Sequence, residues 1–135
     1  MAEITNEELI KKAESVVKPI NVDGRFFADV GCALITDKDN VYLGVCIDTG
    51  SGTGFCAEHS AIAAMVTAGE LNIKKLVAVW KDDKGVTHIL PPCGRCREFI
   101  RQIHKDNLAT DIILGKNKVV KLSELLPYHV WPWDS

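Results

Sequence analysis

The chain of 135 residues lacks a long hydrophobic segment, an internal repeat and a strong excess of charge of either sign. A membrane-spanning helix needs about 18 or more consecutive apolar residues, whereas the apolar runs here are only as long as a strand. The first nine residues include Glu3, Glu7 and Glu8, where a secretory signal would have an apolar core. We therefore expect a cytoplasmic protein that does not contact a membrane.

The formal net charge of -2 gives no general attraction for nucleic acid polymers or anionic membranes. Hydrophobic residues make up 47% and charged residues 25% of the chain, as in soluble globular proteins. This length is sufficient to bury a core without disulfide bonds. We expect one domain covering residues 1–135 and a small molecule as the main partner.

The five cysteines are an odd number and do not form a complete disulfide framework. In a cytoplasmic protein they are expected to be reduced, buried or bound to metal. The chain has one Cys-x-x-Cys, Cys93 to Cys96, and no second one or paired histidines to complete a four-ligand structural zinc site. Cys32 or Cys46 would have to be the fourth ligand, but each lies in a predicted strand, where a small buried side chain is expected.

The hydrophobic pattern predicts a mixed sheet of five strands with helices packed on it. Strands joined through a helix should run parallel, because such crossovers are right-handed. A first helix capped by Thr5 should end at Pro19. The other helices are predicted over 56–68 and 94–104, with a last turn over 124–126 capped by Ser123, and the strands over 26–36, 41–47, 76–80, 111–114 and 118–122.

Cys56, Cys93 and Cys96 all fall where a loop becomes a predicted helix. A helix N-terminus favours anions and lowers thiol pKa values, so we expect three thiolates near one point. Three thiolates can hold Zn²⁺ and leave its fourth position open, as in catalytic sites. Their surplus negative charge calls for positive partners, and the candidates next to the cysteines are Arg95, Arg97 and His59. The glycine-rich loop 49–54 before Cys56 is either a connector or a flap beside the site.

Glu58 follows the first cysteine by two residues and has two interpretations. It is either a solvated glutamate near a helix N-terminus or a buried proton carrier beside a metal. The small apolar residues Ala57, Ala61 and Ala64 on the same predicted helix favour the buried position. A Cys-x-Glu followed by Pro-Cys-x-x-Cys, here Pro92 to Cys96, is the pattern of zinc deaminases, in which the glutamate moves protons and does not bind the metal.

The sequence resembles the cytidine deaminase family in its small three-cysteine form, over nearly the whole chain. The resemblance rests on Cys56-Ala57-Glu58 and on Pro92 to Arg97, with support from Val30 to Leu34 and from Glu124 to Pro127. It implies a three-layer α-β-α fold with helices on both faces of the sheet. It also implies one Zn²⁺ per subunit, a role in nucleoside metabolism and a homotetramer whose sites are completed by neighbouring subunits.

Two neighbours within the superfamily are similar to this chain, the cytidine or deoxycytidine deaminases and blasticidin S deaminase. In cytidine deaminases an Asn and a Glu hold the ribose, and those positions here are Cys46 and Asp48. A Phe near the base pocket corresponds to Ala28, and the usual Arg after the first motif is His59. Arg95 and Trp131 look more like the blasticidin S enzyme. The candidate substrate contacts are Asp48, Cys46, Ala57, Phe27, Arg95 and Trp131.

The resulting hypothesis is a zinc-dependent hydrolase in which Cys56, Cys93 and Cys96 bind the metal and Glu58 moves protons. Its substrate would be a small cytosine-bearing molecule and its products ammonia and the uracil compound. One alternative is a deaminase-fold protein that binds a nucleoside-like ligand without turnover. Another is a structural zinc domain that binds a protein partner. A redox Cys-x-x-Cys enzyme would leave Glu58 unexplained.

Overall fold

The computed structural model describes residues 3–134 and contains three α-helices and seven strands. The helices are α1 (Asn6–Ser15), α2 (Ala57–Thr67) and α3 (Gly94–Ile103). The strands are β1 (Ile20–Val22), β2 (Arg25–Thr36), β3 (Val41–Asp48), β4 (Ile73–Lys81), β5 (Thr87–Leu90), β6 (Asp111–Gly115) and β7 (Lys118–Lys121). Short 3-10 turns follow α3, β7 and residue 131.

The five strands predicted from the sequence correspond to β2, β3, β4, β6 and β7. They lie in the sheet in the order β3-β2-β4-β6-β7. β2 pairs antiparallel with both β3 and β4, and β4 pairs parallel with β6, so the sheet is mixed. The parallel β4–β6 pair is joined through α3, as the crossover rule predicts. β3 and β4 are joined through α2 and also run in the same direction, but with β2 between them.

The predicted count of five strands is wrong, because β1 and β5 also belong to the sheet. β1 pairs with the start of β2, and β5 pairs with the end of β4. Both are short, and β1 is exposed throughout, so neither has the apolar run that marks a buried strand. The closing turn is also displaced: it spans Leu122–Leu125 and begins after Lys121 instead of Ser123.

Helices cover both faces of the sheet, as the resemblance implies. On one face α1 buries Leu9 and Ala13 against Ala33 and Val77 of the sheet. On the other face α2 and α3 form a second cluster, in which Ile62 and Ile100 meet strand residues including Cys32 and Leu76. Thr5 caps α1 by accepting a hydrogen bond from the Glu8 N–H at 3.1 Å. The helix ends at Ser15, four residues before Pro19.

Close packing of α2 on β3 fixes the helix that carries half of the candidate site. A Cβ atom at Gly44 of β3 would lie 2.3 Å from the backbone nitrogen of Ala61 and 2.7 Å from the carbonyl oxygen of Ala57. Only glycine allows backbone and helix to approach this closely. Because side chains alternate along a strand, Gly44, Cys46 and Asp48 all point to the α2 side of the sheet.

Candidate metal centre and active site

Three cysteine sulfurs meet at the start of two helices. Cys56 occupies the N-cap position of α2, and Cys93 occupies the same position of α3. Cys96 lies in the first turn of α3 and is fully buried. The Sγ atoms of Cys56 and Cys93 are 3.6 Å apart, and those of Cys93 and Cys96 are 3.4 Å apart. The fold thus brings the two cysteine motifs to one point.

The arrangement of the three sulfurs fits Zn²⁺. Thiolates bound to one tetrahedral Zn²⁺ at about 2.3 Å lie about 3.8 Å from one another, and these three lie within 4.8 Å of one another. The Cys56 thiol accepts no capping hydrogen bond from α2, although N-cap side chains usually accept one. Within the described part of the chain, no fourth Cys, His, Asp or Glu ligand atom belongs to this group. A metal held here keeps one position for water or substrate.

The ionisation of the thiols differs from the sequence expectation. Burial raises the pKa of Cys56, although a hydrogen bond from the Cys96 thiol favours the thiolate form of Cys56 and opposes this rise. Burial also raises the pKa of Cys96, strongly, and the nearby Glu58 carboxylate adds to the effect. Only the pKa of Cys93 is lowered: burial opposes this, but hydrogen bonds from the backbone N–H and the thiol of Cys96 outweigh it. Three thiolates in this volume therefore need a bound cation to offset their charge.

Glu58, the second residue of α2, is only 4% exposed. Burial raises the pKa of its carboxyl group above the ordinary value, and the helix backbone N–H and the Cys96 thiol oppose the rise. After burial, the charge of the same carboxylate also raises the pKa values of Cys96 and of the buried Cys32. The interpretation as a solvated surface glutamate is therefore wrong. A buried carboxyl group beside a metal-type cluster is suited to receive and return protons.

Of the three candidate positive partners, only His59 brings its side chain to a cysteine of the cluster within residues 3–134, whereas Arg95 reaches Cys93 through its backbone N–H. Its Nδ1 lies 3.6 Å from Cys96 Sγ, and its ring stacks on Phe99 with centroids 4.2 Å apart. Burial and the charge of Arg95 lower the pKa of His59, so the ring is neutral near pH 7 and can donate one N–H to the sulfur. Arg97 instead donates to the carbonyl oxygens of Pro92 at 2.8 Å and of Leu125 at 3.4 Å.

Arg95 and Phe27 line two separate clefts. Arg95 Nη1 is 3.5 Å from the carbonyl oxygen of Gly54, and its side chain lines a mostly apolar cleft with Phe55 and Phe99. Phe27 lines a different cleft, between β1 and the end of β4.

The loop 49–54 is closed on itself, because the Thr49 and Thr53 hydroxyl groups are 2.8 Å apart and Ile47 and Phe55 form a bridge.

Cys46 and Asp48 point to the α2 side of the sheet, and Ala57 follows Cys56 at the start of α2. Ala57 is completely buried at the first position of α2. Asp48 is exposed and lines a shallow depression with Arg25. The Cys46 thiol donates a hydrogen bond to Asp29 Oδ1 at 2.9 Å. Burial and this hydrogen bond raise the pKa of Cys46, so it stays a thiol.

Trp131 lies apart from the cysteine cluster in this chain. Its ring packs 4.6 Å from the guanidinium carbon of Arg101, in the second half of α3, whereas Cys96 lies in the first turn.

Asp29 was missed in the sequence because it stands in a β-bulge between Phe27 and Gly31. Ala28 in this bulge has a φ of 61°, which alanine rarely adopts, so the local sequence carries no signal for it.

An α/β sheet with three thiols at two helix N-termini and a buried glutamate beside them defines a zinc-dependent deaminase. This chain belongs to the cytidine deaminase family: the model of the cytidine and deoxycytidylate deaminase zinc-binding region matches residues 4–110. It is a hydrolase of the class that deaminates aminopyrimidines. No helix among residues 3–134 has the length and apolar character to cross a membrane.

Several relatives have similar sequences or structures. A blasticidin-S deaminase of Bacillus cereus is 29% identical over 126 residues, which cover 89% of this chain and 88% of that protein. A cytidine deaminase of Mycoplasma genitalium is 36% identical over 93 residues, 68% of each chain. The crystal structure of cytidine deaminase from Mycobacterium leprae has a TM-score of 0.74 and 26% identity, covering 93% of this chain and 99% of that one.

Proposed function

We propose that this protein hydrolyses the amino group of the cytosine ring in a small nucleoside or nucleoside-like molecule, giving ammonia and the uracil product. The observation that carries the proposal is the burial of Glu58 beside the three-sulfur cluster of Cys56, Cys93 and Cys96. Zn²⁺ bound to these cysteines would supply a Lewis acid that makes water acidic enough to act as a nucleophile near neutral pH.

The proton transfers are assigned to Glu58. Its carboxylate takes a proton from the attacking water and delivers it to the ring nitrogen next to the amino-bearing carbon. A new C–O bond forms at that carbon. Glu58 then accepts the remaining hydroxyl proton and passes it to the amino group, and the C–N bond breaks as ammonia leaves. The raised pKa of Glu58 brings it closer to the working pH, where a group can both accept and donate efficiently.

Two substrate classes have support. The cytidine deaminase of Mycoplasma genitalium and the blasticidin-S deaminase of Bacillus cereus are both relatives of this chain. Cys46 and Asp48 replace the Asn and Glu that the resemblance associates with ribose, and the Cys46 thiol is already engaged by Asp29. The hydrogen bond between Cys46 and Asp29 therefore favours a substrate in which the group attached to the cytosine ring differs from ribose.

The test is to follow the loss of cytosine absorbance with purified, zinc-loaded protein and cytidine, deoxycytidine or blasticidin S in parallel. Turnover of the nucleosides would show that the site accepts ribose despite Cys46 and Asp48. Turnover of blasticidin S alone would assign the antibiotic-type substrate. No turnover of any of the three with zinc bound would contradict deamination of these molecules and favour the ligand-binding alternative.

We also propose a cytoplasmic homotetramer. Its support is the family resemblance together with exposed apolar side chains in the last segment of the described chain, among them Tyr128, Val130 and Trp133. Such exposed groups often mark a subunit contact. Light scattering coupled to gel filtration tests this: a mass near four times 14.9 kDa is expected, and a monomer mass would contradict it.

A further inference from the structure

A cleft of about 370 Å³ opens where β1 and the end of β4 lie along the same edge of β2. β4 pairs with β2 only as far as Trp80, opposite Val30, while β1 pairs with β2 up to Phe27. The residues between, Ala28 and Asp29, form the β-bulge. The bulge therefore leaves a gap between two strands. We call this gap the aromatic cleft. Its lining includes Phe26, Phe27, Asp29 and Trp80, together with the charged residues Lys81, Asp82 and Asp83.

The Asp29 carboxylate in the aromatic cleft points to the side of the sheet that carries the cysteine cluster. Asp29 Oδ1 accepts the hydrogen bond from Cys46, which shares the α2 side of β3 with Gly44. Cys46 also packs against the buried cluster that contains Ala57, the residue before Glu58. Asp29 is thus linked through one side chain to the start of the helix that carries Glu58.

The aromatic walls lie on this side as well. Trp80 stands opposite Val30, which packs against the same α2-side cluster. Phe26 stands opposite Asp48 of β3, on the α2 side. Trp80 stacks on His88 with ring centroids 5.3 Å apart, yet 36% of its surface is exposed, and 47% of Phe26 is exposed. Both rings offer an uncovered surface at the mouth of the cleft.

Asp29 has acceptor capacity beyond its contact with Cys46. An ionised carboxylate offers about four lone-pair positions, and within residues 3–134 its one side-chain hydrogen bond is the one from the Cys46 thiol. No ion pair in this part of the chain involves Asp29. A carboxylate between two exposed aromatic rings suits a ring that carries hydrogen-bond donors on its edges and C–H groups on its faces.

We propose that the aromatic cleft is the subsite for the ring attached to the cytosine, with Asp29 accepting hydrogen bonds from hydroxyl or ammonium groups of that ring. Trp80 and Phe26 would pack against its faces. This inference rests on the proposed deamination, because it assigns the part of the substrate that does not react. It makes Asp29 and Trp80 determinants of substrate choice at positions separate from the residues that bind zinc and move protons.

The test compares Asp29→Asn and Trp80→Leu with wild type for cytidine, deoxycytidine and blasticidin S. Asp29→Asn keeps an acceptor for Cys46 and removes the charge. For every substrate that the wild type converts, we expect Asp29→Asn to raise KM about 10-fold or more, as the loss of a charge-assisted hydrogen bond does. Trp80→Leu should raise KM about 3-fold or more, because it removes aromatic packing against the ring. Each variant should change kcat less than about 3-fold. A larger effect with blasticidin S assigns an ammonium group, and a larger effect with the nucleosides assigns hydroxyl groups. Asp37→Asn, in the distant β2–β3 turn, is the matched control.

Equal KM values within about 2-fold for wild type and both variants, with zinc content unchanged, would overturn the subsite while leaving deamination standing. Calorimetric binding to Glu58→Gln protein separates the two proposals further. If no substrate turns over but Asp29→Asn still weakens binding, the subsite stands and the deamination proposal fails. If Glu58→Gln protein binds none of the three molecules, the subsite is overturned.

Discussion

Glu58→Gln removes the proton-carrying group and changes little else in the site. Glutamine has nearly the same volume as glutamate, so the buried position at the start of α2 stays filled. The cysteine sulfurs are untouched, and zinc content should be unchanged. Glutamine cannot take a proton from water or give one to the departing amino group. Only the proton transfers are removed.

The size of the effect follows from the number of transfers assigned to this carboxylate. General acid–base catalysis by one positioned group contributes about 10²–10⁴-fold, and Glu58 serves the ring nitrogen and the leaving amino group in turn. We therefore expect kcat to fall by at least about 10³-fold. KM should change much less, because the lost interaction belongs mainly to the transition state.

The assay is the loss of cytosine absorbance with the substrate that the wild type converts, with zinc measured by atomic absorption on the same samples. Glu70→Gln is the matched control, since Glu70 is also a buried glutamate but lies beyond the opposite end of α2. It should keep wild-type kcat. A fully zinc-loaded Glu58→Gln protein with more than about one-tenth of wild-type kcat would refute the proton-carrier role.

Three further predictions concern the metal and the fold. Cys93→Ser should lose most of its zinc on dialysis, because two sulfurs remain where three are needed; full zinc retention would contradict the assigned ligands. Hydrogen bonds from Tyr42, then Thr36 and Asn40, lower the pKa of Glu70 below its ordinary value of 4.5. The ionised carboxylate therefore stabilises the fold above pH 4.5, and this stabilisation is lost as the pH falls through the lowered pKa. Glu70→Gln should therefore be less stable than wild type at about pH 7 and equal to it at low pH, and a pH-independent difference in melting temperature would contradict this. Gly44→Ala should cost about 1–3 kcal/mol in urea unfolding because its Cβ meets helix backbone, whereas Gly50→Ala, with nothing within 4 Å, should have little effect.

The metal cluster could be predicted from the sequence because its determinants are local. Cys56 and Glu58 lie two residues apart, and Cys93 and Cys96 lie on one helical turn, so each helix start sets the relative positions within its own motif, and the sheet brings the two motifs together. The alanine-rich pattern of α2 also indicated that Glu58 is buried, and its exposure of 4% agrees. The five predicted strands also have local signals, since each contains a continuous apolar run or an alternating one.

The surroundings of the cluster depend on tertiary packing that the sequence does not display. Thiol pKa values were expected to fall at helix N-termini, but burial outweighs this for Cys56 and Cys96. The bulge that turns Asp29 toward Cys46 depends on a positive φ at Ala28, a residue with no preference for it. His59, one of three candidate partners by position, is distinguished only by its contact with Cys96.

An open fourth position on the metal distinguishes a deaminase from a structural zinc domain, and X-ray absorption at the zinc edge measures it directly. With wild-type protein we predict three sulfur ligands at about 2.3 Å and one oxygen or nitrogen ligand at about 2.0 Å. Addition of a cytosine-bearing substrate to Glu58→Gln protein should alter only the lighter ligand. Four sulfur ligands, or a first shell that no substrate changes, would contradict a catalytic site at Cys56, Cys93 and Cys96.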